Sequence, residues 1–142
     1  MHIRKQISRC LLFAAAIFVT GCPTTPVRFS AAKPVDGDNI LSGYHDIAKP
    51  RSGTARVIFV RDSGLSGCAL PILLSIDAKP VAKLWQSQKI EVFLTPGLHI
   101  FQIEQSPRGL GQMLEREALI LDSVKNSFRI SMLDINRSTH VE

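Results

Sequence analysis

The stretch Ile90-Glu91-Val92-Phe93-Leu94-Thr95-Pro96-Gly97-Leu98-His99-Ile100-Phe101-Gln102-Ile103-Glu104 decides the fold. Two apolar runs of strand length, Ile90–Leu94 and Leu98–Glu104, flank Thr95-Pro96-Gly97. Proline pre-sets one φ and glycine accepts a positive one, so the three residues read as a turn. Working toward the amino terminus, Val81–Trp85 is another short run, preceded by a turn at Asp77-Ala78-Lys79-Pro80. Before that, Pro71–Asp77 places Ile72, Leu74 and Ile76 on one face of an extended chain, and Ala55–Arg61 (ARVIFVR) is rich in β-branched and aromatic residues. Toward the carboxyl terminus come Glu115–Leu121 and Phe128–Leu133, the latter with Phe128, Ile130 and Met132 on one face and Arg129 and Ser131 on the other. Seven short strands without a sustained helical period predict a mainly β chain, a small antiparallel β-sandwich or barrel-like domain. Helix has a foothold only between Gln112 and Ala118.

The amino terminus obeys different rules. Arg4, Lys5 and Arg9 precede an uncharged run from Cys10 to Thr20 (CLLFAAAIFVT), the charged and apolar regions of a secretory signal. That run is too short for the ~20 apolar residues a bilayer-spanning helix needs. Val19-Thr20-Gly21-Cys22 then resembles the lipobox of bacterial lipoproteins, in which an aliphatic and two small residues precede the modified cysteine. The resemblance implies cleavage before Cys22, a diacylglyceryl thioether on its sulfur, and acylation of the new amino terminus, with palmitate the expected acyl group. Two or more chains, at roughly 0.8 kcal/mol per buried methylene, anchor a protein stably. Pro23 in place of aspartate after Cys22 is similar to the sorting signal for the outer membrane.

These features divide the chain into a lipoprotein signal peptide at 1–21, a lipidated Cys22 with a proline-rich tether at 22–53, and a β-sandwich-like domain at 54–142. Four prolines space the middle segment, discouraging helix and sheet. Within it, Ile40-Leu41 and Tyr44–Ile47 are expected to dock on the domain or form a helical turn. The formal charge of +5 overstates the domain, because the 17 Lys and Arg fall to 14 once Arg4, Lys5 and Arg9 are removed, against 12 Asp and Glu. The basic residues left are scattered, which argues against a nucleic-acid partner. Of the three cysteines, Cys10 leaves with the signal and Cys22 takes lipid, leaving Cys68 without an intramolecular disulfide partner.

From Ala55 to Glu104 the chain resembles a family of small bacterial lipoprotein domains of unknown function, DUF2846. The matching residues are Val57–Arg61, Ile76-Asp77-Ala78-Lys79-Pro80-Val81-Ala82 and Leu94-Thr95-Pro96-Gly97-Leu98-His99, with Ala118–Leu121 and Phe128–Ile130 similar to the family's last hairpin. Asp77-Ala78 departs from the family's Asp-Gly turn, and the strand before it is poor in aromatics. The resemblance implies a β-sandwich-like envelope module and no assigned activity.

Residues capable of chemistry are present without diagnostic spacing. His45, His99, His140 and Cys68 form no short-spaced pair of the kind zinc sites use, and His99 is expected half exposed at a strand start. Ser63-Gly64-Leu65-Ser66-Gly67-Cys68 superficially resembles a nucleophile elbow, with His99 and Asp77 downstream, but it lacks the final glycine and a following helix. Cys68 leads into an apolar strand and reads as buried, with a reactive or intermolecular thiol as the alternative. Ser106–Gly111 has the glycines of a phosphate loop without its Lys-Ser/Thr end, and the single tryptophan, Trp85, reads as core in preference to a contact.

The expectation is therefore a membrane-anchored lipoprotein of the bacterial cell envelope, non-enzymatic, with Cys22 as lipid attachment site and no catalytic, metal or cofactor residues. Its expected partners are the membrane, through the lipid, and an envelope protein. A structural accessory subunit of a larger envelope or secretion assembly is the alternative, and a hydrolase or redox protein using His99 or Cys68 stands behind both.

Overall fold

The computed structural model describes residues 24–64, 70–105, 113–122, 124–131 and 134–138. The expected signal peptide at 1–21, Cys22, Ser66, Cys68, the Ser106–Gly111 loop, the Met132–Leu133 end of the last expected strand, and His140 lie outside them.

The strands are β1 (Thr24–Thr25), β2 (Lys33–Pro34), β3 (Ala55–Arg61), β4 (Ser63–Gly64), β5 (Ile72–Ile76), β6 (Lys79–Leu84), β7 (Gln88–Leu94), β8 (Gly97–Gln105), β9 (Met113–Ile120), β10 (Asn126–Ile130) and β11 (Ile135–Arg137), with a one-turn helix α1 at Ser42–His45. The chain is mainly β and sandwich-like, without a closed barrel. One sheet runs β11-β10-β3-β7-β2, the other β6-β5-β8-β9, and β1 pairs with β4. Each of the seven expected strands is present. The stretch with helical propensity, Gln112–Ala118, is strand from Met113 onward, because pairing along β9 with β8 outweighs a small intrinsic preference. Most pairings are antiparallel, but β10 runs parallel to β3 and β2 parallel to β7.

Period-two alternation builds the core. Val57 and Phe59 of β3, Ile90, Val92 and Leu94 of β7, and Phe128 and Ile130 of β10 are buried, as are Ile72, Leu74 and Ile76 of β5 and Phe101 and Ile103 of β8 in the second sheet. At the centre Phe59 and Phe128 from one sheet meet Phe101 from the other, with centroids 4.8, 4.9 and 5.4 Å apart. Such aromatic contacts add roughly 0.5–1.5 kcal/mol per pair beyond area burial.

Residues 24–53, expected as a tether, are packed on the domain instead. Phe29 and Ala32 are buried with Val60 on the outer face of the first sheet. Pro34 does not prevent pairing, because the ladder to β7 uses the amides on either side of it, Lys33 to Ser87 O and Val35 to Lys89 O. Ile40 bridges Ala82 and the Leu41 amide donates to Val81 O, covering the free edge of β6. Behind them α1 approaches so closely that a Cβ on Gly43 would lie 2.6 Å from Pro80 O. Both alternatives for Ile40–Ile47 are thus realised together: the segment docks and includes a helical turn.

Candidate functional site

The sandwich has two ends, and polar side chains enter each from strand positions otherwise occupied by apolar residues. At one end β5 turns into β6 through Asp77 and Ala78, with φ of 49° and 63°. Positive φ at both central residues is the type I′ geometry that a two-residue hairpin favours, and Ala78 occupies the position where glycine is free of strain. The Asp77 carboxylate accepts the Ile100 amide at 2.9 Å and contacts His99 Nδ1 at 2.7 Å. His99 Nε2 lies 2.8 Å from Thr95 O. His99 is therefore buried, 9% exposed, and not half exposed as expected: at a strand start its side chain points between the sheets, and the turn carboxylate makes that burial tolerable.

The structure brings His99 and Asp77 together, and among the described residues no nucleophile stands at the second ring nitrogen; Ser66 and Cys68 lie outside them. A catalytic histidine needs its second nitrogen directed at a nucleophile, and here that nitrogen is committed to a backbone carbonyl. Ser63 lies at the opposite end, where its Oγ donates to Thr25 O at 3.2 Å. Among the described residues no cluster of three or more His, Cys, Asp or Glu is placed to hold a metal ion.

At that opposite end Arg61, the last residue of β3, follows Val57 and Phe59 into the space between the sheets and is 3% exposed. Its Nη1 donates to Leu70 O at 2.9 Å and Leu84 O at 2.6 Å, joining the start of β5 to the end of β6. Asp62 beside it accepts the Val27 amide at 3.0 Å and Arg129 Nη2 at 2.5 Å. Arg129 also donates to Val27 O at 2.8 Å and lies 5.6 Å from the Phe29 ring centre. These two arginines were not singled out in the sequence. The alternation of ARVIFVR, which puts Arg61 on the Val57–Phe59 face, was a usable signal for the first; the Asp62–Arg129 pairing, 67 residues apart, had none.

Trp85, expected in the core, is 39% exposed in the turn between β6 and β7, while its amide donates to Gln88 Oε1 at 2.9 Å. Elsewhere a cleft of about 240 Å³ lies beneath residues 29–44, lined by Phe29, Val35, Tyr44 and Ile58 and rimmed by the Arg56–Glu91 pair at 2.5 Å. The hydrogen bond to Glu91 pushes the Arg56 guanidinium above its ordinary value. The cleft is smaller than the ~300–1,000 Å³ of typical ligand pockets. At the Asp77 end, Leu98 and Leu119 stand opposite each other on β8 and β9 and are 63% and 52% exposed. The chain matches no protein-family model, no curated protein and no solved structure, so its chemistry is read from its own residues.

Proposed function

We propose that this chain is a lipid-anchored module of the bacterial cell envelope, held on the outer membrane through Cys22, that binds an envelope protein and catalyses no reaction. The observation carrying this reading is the order of Arg4, Lys5 and Arg9, the apolar run Cys10–Thr20 and Val19-Thr20-Gly21-Cys22. The commitment of both His99 nitrogens supports the non-enzymatic half, since a general base needs a nitrogen within reach of the proton it takes. An anchor of this kind confines a weak binder near its target and raises its effective concentration without a new contact.

The test is rescue of the null phenotype at matched expression. Cys22→Ser behind a cleavable non-lipid signal is expected to fail, whereas Ser66→Ala and Cys68→Ser are expected to restore function. Restoration by the soluble Cys22 variant together with loss in Cys68→Ser or Ser66→Ala would make an enzymatic or redox site the better account.

A further inference from the structure

The exposed apolar side chains at the Arg61 end coincide with the place where the chain enters the domain. Leu70 and Trp85 are 36% and 39% exposed. Arg61 binds the carbonyls of Leu70 and of Leu84, the residue before Trp85, and so holds the two segments side by side. Met113, 67% exposed, starts β9 along the same sheet end, opposite Glu104. Thr24 pairs with Gly64 here, and Gln86, next to Trp85, donates to Gly64 O at 2.5 Å. Cys22 precedes Thr24 by two residues, a chain reach of at most about 7 Å.

We infer that this end of the sandwich docks on the surface of the lipid bilayer, with Trp85 and Leu70 seated at the boundary of headgroups and acyl chains beside the lipid on Cys22. The inference rests on the proposed anchoring. The occupant is set by chain connectivity: with β1 tied to β4, no long spacer separates the acylated residue from the folded edge, so the bilayer is the surface these side chains meet. An indole, apolar in body with one N–H donor, suits that boundary. Two such side chains bind membranes weakly by themselves, but beside an anchor they act intramolecularly and fix orientation. The Asp77 end, roughly 20 Å away along β3, then faces the aqueous compartment.

Because Trp85 is the single tryptophan, the native chain reports on itself. The lipid-bearing protein, purified from membranes and reconstituted into phosphatidylethanolamine–phosphatidylglycerol vesicles, should show a blue-shifted emission that acyl-brominated lipids quench strongly. The variant Trp85→Phe/Leu98→Trp, carrying its reporter at the far end, should be quenched little. If the native protein floats with vesicles and carries lipid on Cys22 by mass, yet Trp85 stays unquenched, the docking inference is wrong and the anchoring stands. Equal quenching from both positions also overturns it, by showing a different orientation. A chain without lipid on Cys22 removes the anchoring and the inference together.

Discussion

The strands from Ala55 to Ile130 and the wrap from Thr24 to Gly53 are parts of one folded unit held by different means. The sandwich is closed by apolar alternation, with Phe59, Phe101 and Phe128 wholly or almost wholly buried at its centre. The wrap fully buries only Phe29 and Ala32 among its apolar side chains, with Val35, Ile40, Tyr44 and Ile47 half-buried against the main core. It is fixed by polar groups reaching from the sheet: Asp62 and Arg129 to Val27, Lys89 Nζ to Phe29 O at 2.9 Å, and Gln88 Nε2 to Asp36 Oδ2 at 3.1 Å. A proline-rich segment with weak hydrophobic pattern can therefore be structured when its backbone is bound by side chains belonging to the other region.

The comparison is broken most severely in the core. Phe101→Ala removes the one ring of the trio contributed by the second sheet and should cost about 4 kcal/mol, seen as a lowered denaturation midpoint for the whole domain. Asp62→Ala should cost about 3 kcal/mol, at the low end for breaking a buried pair because Arg129 keeps access to water. Its signature differs, since limited proteolysis should open residues 24–34 before the strands unfold; simultaneous loss of both regions would show that the wrap is not separable.

Smaller changes sharpen the contrast. Ala78→Gly relieves a positive φ that glycine accepts freely and should raise stability by about 1 kcal/mol in chemical denaturation. Arg56→Ala breaks an ion pair whose side chains are 60% and 40% exposed, and should change the same midpoint by no more than about 0.5 kcal/mol.

Strand positions were legible because each carries its own signal: β5 and β7 alternate, and Thr95-Pro96-Gly97 marks its turn, where Gly97 takes φ of 138°. The wrap was not legible, because Pro34 looks like a strand breaker until its neighbours' amides are seen to do the pairing. The parallel partnership of β3 with β10 joins residues far apart in sequence and leaves no local trace. At the candidate sites, residue types were visible and directions were not. Period two with Phe101 and Ile103 puts His99 on the inward face, but neither its contact with Asp77 nor the outward placement of Trp85 follows from spacing alone.

Central to this account is a domain folded almost to its proposed point of lipid attachment, and intact mass spectrometry of the chain extracted from native membranes in detergent tests that attachment most directly. The predicted species begins at Cys22 and carries a diacylglyceryl group on sulfur with an acyl chain on the amino terminus. A chain still starting at Met1, or one whose Cys22 has the mass of unmodified cysteine, would contradict it.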